Sequence, residues 1–160
     1  INVITSILDK RFQTEDEEIE NTYEEKFVSH LEISFPYSFN DEFFKWFDYK
    51  EWDRLKGVFK EMKRRRGDGK AIRINLNFSG QPDINFVIES DESQWFKMEV
   101  EKIDFVVELL PYHLDEKNIP KDVKSVIYNF DQEAARWRLN TVFTSEKKFV
   151  NSKSGWKLST

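Results

Sequence analysis

Alternating apolar and polar residues mark the middle of the chain as a β-hairpin. Apolar side chains occupy every second position in 72–78 and again in 84–89, on either side of a turn at 79–83. Period-two alternation is typical of a strand that buries one face. The pattern therefore predicts a hairpin with one face on a core and one polar face rich in asparagine. The polar face carries Arg73, Asn75, Asn77, Asn85 and Glu89.

Apolar residues at three- and four-residue spacing predict helices before the hairpin. Residues 1–13 fit a short amphipathic helix. A half-buried strand over 27–35, ended by Pro36, follows an acidic segment. Asn40 and the two acids after it predict a helix start. The apolar stripe then continues to Met62, with a break near Tyr49, and a basic run before Gly67 ends the helix.

Two later segments fit more than one element. After residue 92, a helix to Leu110 competes with a strand over 96–100 followed by a helix over 102–110, and we expect Pro111 to end either one. The segment 123–143 fits a helix or a hairpin that turns at 131–134, and its β-branched content favours the hairpin. The tail, 145–160, predicts one short strand.

These elements predict the fold class. We expect residues 1–160 to form a single α+β domain, with an antiparallel sheet whose central hairpin packs against the helical region 40–66.

Aromatic residues are numerous, with fifteen Phe and five Trp. Each buries on the order of 150–250 Å², so they predict a large core or an aromatic contact surface. We expect most of the tryptophans in the core and at least one at the surface, where Trp is typical of binding hot spots. The tryptophans are Trp46, Trp52, Trp95, Trp137 and Trp156.

The net charge of −5 argues against nucleic acid or an anionic membrane as the main partner. Seven carboxylates within 14–25 predict a solvated segment or a contact for a basic partner. The dense basic patch is explained by cations at a helix C-terminus. It consists of Lys60, Lys63, Arg64, Arg65 and Arg66.

Chemically reactive groups are sparse. The chain has no cysteine, its two histidines, His30 and His113, are far apart, and phosphate-binding, nucleophile-elbow and calcium-loop motifs are absent. We therefore expect no metal, no cofactor and no catalytic residue. An acid–base enzyme would have to use a carboxylate pair, and thirty acids create such pairs by chance. The candidates are Glu89, Asp91, Glu92, Glu99, Glu101, Asp104 and Glu108.

The polar hairpin face is the candidate binding site. Amide side chains beside Asp91, Glu92 and Trp95 offer polar, charged and aromatic contacts to a protein surface of complementary charge. An ordinary solvated sheet face is the alternative interpretation.

One run of the chain resembles a known family. Residues 95–110, WFKMEVEKIDFVVELL, followed by Pro120, Val123, 126–131 and Trp137, are similar to small bacterial immunity proteins of the TipC type. The resemblance spans about 45 residues. It implies an inhibitor that binds and neutralises a secreted bacterial toxin, but it assigns no contact residues.

The resemblance also implies a location. It predicts an extracytoplasmic protein held by an N-terminal anchor outside the present chain, which begins at Ile1 without a methionine. A cytoplasmic location is the alternative. No stretch is apolar enough over ~20 residues to span a bilayer. A small acid–base enzyme and a structural or assembly subunit are the competing classes of function.

Overall fold

The computed structural model describes residues 2–12, 29–69 and 72–159. This part of the chain forms four helices and seven strands. The helices are α1 (Asn2–Leu8), α2 (Asp41–Trp46), α3 (Lys50–Arg66) and α4 (Ser93–His113). The strands are β1 (Ser29–Phe35), β2 (Ile72–Phe78), β3 (Asp83–Ile88), β4 (Ser125–Asp131), β5 (Arg136–Phe143), β6 (Lys148–Ser152) and β7 (Gly155–Ser159). The acidic segment 14–25 and Phe27, on which two predictions rest, lie outside the described residues.

The seven strands form one sheet in chain order, β1 to β7. The α+β class is confirmed, and the predicted β2–β3 hairpin lies inside the sheet with a strand on either side. The sheet is mixed and mostly antiparallel, because β1 pairs with β2 and β3 pairs with β4 in parallel. A helical crossover returns the chain to the end of the sheet where it started, so the next strand runs in the same direction.

The two helical crossovers lie on the same face of the sheet. In the first, Phe43 of α2 packs on Phe78 of β2 at 5.0 Å between ring centroids. In the second, Asp104 of α4 accepts a hydrogen bond from Trp52 of α3. The strands β1 and β2 run in one direction, whereas β3 and β4 run in the opposite direction. Both connections move towards the same edge of the sheet and cross on the same face, so one crossover must be right-handed and the other left-handed. Since about 98% of such connections are right-handed, one of these two is an exception.

Aromatic rings fill the space between sheet and helices. Phe35 stacks on Phe78 at 4.7 Å, and Phe78 contacts Phe86 at 6.1 Å. Phe86 in turn contacts Tyr128 at 5.2 Å and Trp137 at 5.7 Å. These rings come from five adjacent strands, so one continuous aromatic layer underlies the helices. Trp46, Trp52 and Trp137 are buried, whereas Trp95 and Trp156 are partly exposed, in agreement with the prediction.

Local signals at the helix ends are confirmed. Asn40 caps α2, because its Oδ1 accepts a hydrogen bond from the backbone N–H of Glu42 at 2.9 Å. The predicted break falls at Tyr49, the residue before α3. The helix ends at Gly67, whose φ of 75° favours glycine. The first helix is shorter than the predicted range of 1–13, and its Val3 is 57% exposed.

The segment after residue 92 forms one long helix, so the strand alternative over 96–100 is wrong. Pro111 does not end this helix, which continues to His113. A proline removes one hydrogen-bond donor, and here that loss falls in the last turn. Just beyond the helix, Leu114 donates to the carbonyl of Leu110 at 2.8 Å.

The hairpin favoured for 123–143 is confirmed as β4 and β5. A bulge near Asn140 shifts the register, since Tyr128 pairs with Leu139 while Ile127 pairs with Thr141. A hairpin with regular alternation would set Trp137, Leu139 and Thr141 on one face. The extra residue instead turns Thr141 to the other face and places Val142 on the helix-covered face. The tail forms two strands, β6 and β7, where one was predicted.

The aromatic layer generates a stability prediction. Phe86→Ala should lower the free energy of unfolding by about 3–5 kcal/mol, because it leaves a cavity among rings that exclude water. Phe105→Ala is the matched control, since the same side chain is 67% exposed there, and its cost should stay within about 1 kcal/mol. Urea denaturation measures both, and equal losses would contradict the packing described here.

Candidate partner-binding site

Five predicted site residues share the sheet face opposite the helices. We call this side the open face, because none of the four described helices packs on it. Arg73, Asn75 and Asn77 lie on β2, Asn85 lies on β3, and Glu89 follows β3 directly. Strand pairing sets Asn77 opposite Asn85. The period-two pattern thus placed these five residues on one surface, as expected.

Polar side chains on the open face contact one another. Asn77 Nδ2 donates to Asn85 Oδ1 at 2.7 Å, and Asn85 Nδ2 donates to the carbonyl of Val126 at 3.2 Å. Arg73 Nε lies 3.3 Å from Glu89 Oε2. These contacts fix side chains that are only half-buried. The face is therefore a preorganised polar surface.

Parallel pairing adds residues that sequence reasoning did not assign to the site. Glu32 and Ser34 of β1, both exposed, lie beside Asn75 and Asn77. On the other side, Asn129 of β4 pairs with Val87. The alternation in 27–35 shows the polar side of β1, but no local signal tells which strand β1 joins.

A shallow cleft of about 210 Å³ extends the open face across β4, β5 and β6. Arg138 borders it and pairs with Asp131 at 3.2 Å. Asn151 donates from its Nδ2 to the carbonyl of Leu139 at 2.9 Å. The cleft is lined by Asn129, Phe130, Asp131, Arg138, Leu139, Asn140 and Asn151. Its amide and charged side chains are of the same types as those of the predicted site.

The other three predicted site residues lie elsewhere. Asp91 and Glu92 are exposed in the loop before α4, at one end of the sheet. Trp95 lies on α4, in the helical layer, where its ring is 6.2 Å from that of Phe130. The structure therefore does not join these three side chains to the open face, and their role in binding stays a prediction.

The loop before α4 is tied to the end of α3 by a buried lysine. Lys63 is fully buried, and its Nζ donates to the carbonyls of Gly69 at 2.8 Å and Asp91 at 2.7 Å. Burial lowers the pKa of Lys63. Arg64 and Arg65 instead pair with Glu61 on the helix surface. Within the basic patch, Lys63 is thus a structural residue, a role that its sequence context does not reveal.

Among the candidate catalytic carboxylates, Glu99 is in an unusual environment. It is 3% exposed, and burial raises its pKa to about 8. Its Oε1 accepts a hydrogen bond from the backbone N–H of Glu89 at 3.2 Å. Glu101 and Asp104 instead bind lysines of α3, Lys60 and Lys56 respectively.

The histidines have ordinary environments. His30 is exposed on β1. His113 Nδ1 lies 3.1 Å from the hydroxyl of Tyr128, and burial lowers the pKa of the imidazole. Within 2–12, 29–69 and 72–159, no three His, Asp or Glu side chains are grouped as metal ligands would be.

Two further searches, for membrane-spanning helices and for similar proteins, gave no positive result. Of the helices in the described residues, none is both long enough and apolar enough to cross a membrane. Comparison of the chain with models of known families, with curated proteins and with solved structures found no match.

Glu99 generates a pH prediction. Its folded pKa, about 8, lies above its usual value of 4.5, so the folded state binds this proton more tightly than the unfolded chain does. The resulting stabilisation is complete below about pH 4.5 and is lost as the pH rises through 8. Glu99→Gln stays neutral, so its unfolding free energy should rise relative to that of the wild type by on the order of 2–4 kcal/mol over this window.

Urea denaturation of both proteins at several pH values measures this difference, because the other titrating groups are common to both. A difference that stays constant from pH 4.5 to 8.5 would show that Glu99 is ionised in the folded protein.

Proposed function

We propose that the protein binds a partner protein and inhibits it, as an immunity-type protein that neutralises a toxin. The observation that carries this proposal is the open face. It is a broad polar surface on which Asn77 contacts Asn85 and Arg73 contacts Glu89, and no described helix covers it. Surfaces fixed before binding lose less conformational entropy on association, which favours affinity.

Charge supports a basic partner. The net charge of −5 raises the encounter rate with a cationic surface and lowers it with an anionic one. Glu32, Glu89 and Asp131 contribute carboxylates to the open face. Arg73 and Arg138 pair with the latter two, which leaves Glu32 as an exposed charge at the β1 side.

Glu99 favours a second candidate function, an acid–base enzyme. A carboxyl whose pKa is raised to about 8 is typical of a general acid. Its side chain is nearly inaccessible, however, and it does not line the cleft of the open face. It also does not line a second cleft, which is formed by residues 143–148 with Leu158 and Ser159. A substrate would need a conformational change to reach it, so we place binding first.

The test is co-expression with the product of the adjacent gene. The wild type should restore growth of cells that express the toxin. Glu32→Lys with Ser34→Lys places two cations on the open face and should weaken binding at least tenfold, about 1.4 kcal/mol. Ser145→Lys with Glu146→Lys is the matched control, because it makes the same changes at exposed turn positions away from that face.

The outcomes distinguish an error in the binding surface from an error in the class of function. Equal protection by both double variants, at unchanged melting temperatures, would show that the open face is not the binding surface. Asp91 and Glu92 would then be tested as the binding surface with Asp91→Ala and Glu92→Ala combined. Turnover of a small substrate by the purified protein, abolished by Glu99→Gln, would replace the binding function with the enzymatic one.

A further inference from the structure

Helix α4 carries an apolar stripe on its solvent side. Phe105 is 67% exposed, Leu109 is 52% exposed and Tyr112 is 70% exposed. Their spacing of four and three residues sets all three on one side of the helix. We call them the α4 stripe. Two further large apolar residues of the described chain are well exposed, Val3 and Leu158, and they lie on different elements.

The core does not account for the α4 stripe. The opposite side of α4 already packs against the sheet and α3 through buried residues such as Val100, Ile103 and Leu110. The two aromatic rings and the leucine leave on the order of 300–400 Å² of apolar surface in water. A contiguous apolar patch of a few hundred Å² is about the largest that a typical monomer exposes, and such a patch is often functional, whereas single exposed residues are ordinary.

Charge along the stripe indicates what binds there. Glu101, Asp104 and Glu108 follow the edge of the stripe that faces α3. Lys60 and Lys56 neutralise the first two. Glu108 is exposed and has no ion pair within the described part of the chain. On the other edge of the stripe, Lys102 directs its Nζ to the carbonyl of Ala135 in the β4–β5 turn, at 2.6 Å. The edge that faces α3 therefore has an unpaired negative charge, which complements a partner with a cation at its rim.

A second copy of the chain fits this surface poorly. Two helices that met antiparallel around Leu109 would set Phe105 opposite the partner's Tyr112, but each Glu108 would lie close to its counterpart. Each copy also has a net charge of −5. Charge therefore disfavours self-association.

We propose that the α4 stripe is a docking surface for a protein element with an apolar centre and a Lys/Arg rim, such as a cationic amphipathic helix. The stripe lies in the helical layer and the open face on the other side of the sheet, so this inference does not depend on the proposed function. Aromatic and leucine side chains at helical spacing are the usual anchors in this mode of recognition.

A synthetic amphipathic helix of Leu and Lys, labelled for fluorescence anisotropy, is the probe. It should bind the wild type, and Phe105→Ser with Leu109→Ser should weaken binding at least tenfold. Val3→Ser with Leu158→Ser is the matched control, since it also removes two exposed apolar side chains, and it should bind as the wild type does. Glu108→Gln should weaken binding about two- to fivefold at low salt and reduce its salt dependence.

Two further measurements complete the test. The same peptide with Glu in place of Lys should not bind, and sedimentation should show the wild type as a monomer. The proposal is overturned if the Lys peptide does not bind, or if it binds the stripe and control variants equally well at unchanged melting temperatures. Dimerisation of the wild type that the stripe variant abolishes would also overturn it, because the occupant is then a second copy.

Discussion

Burial of one continuous aromatic layer is the constraint on which the rest of the structure depends. Phe35, Phe78, Phe86 and Tyr128 lie side by side across four strands, and their rings must be covered to leave water. All four described helices are consequently drawn to one side of the sheet. This arrangement requires crossovers of opposite hand, one of them against the usual preference. It also leaves the other side of the sheet without any of the described helices, and that side carries amide and charged groups.

Several features that depend on neighbouring residues were predicted from the sequence, although the helix end expected at Pro111 was wrong. The β2–β3 hairpin follows from period-two alternation, and the start of α2 follows from the capping side chain of Asn40. The two parallel pairings were missed, because strand order depends on contacts between residues far apart in the chain. The bulge near Asn140 was missed for a related reason: regular alternation through 136–143 is locally plausible, and only the pairing with β4 requires an extra residue.

The candidate site follows the same division. Arg73, Asn75 and Asn77 share a face because they occupy alternate positions of one strand, and this alternation is visible in the sequence. That Glu32 lies beside Asn75 depends on the parallel pairing of β1. Lys63 is the clearest case of a hidden role. A cation in the last turn of a helix has a sufficient explanation in the helix dipole, yet the following loop folds back and buries it against two backbone carbonyls.

The α4 stripe and the open face have a common origin in the packing of the helical layer. A helix that covers a sheet needs one apolar side, and α4 buries Val100, Ile103 and Leu110 on that side. Its additional apolar residues, Phe105, Leu109 and Tyr112, remain more than half exposed and present apolar surface to water. Such exposure favours aggregation, a tendency that the net charge of −5 opposes. Since the sheet lies between the two surfaces, a partner bound at one leaves the other accessible.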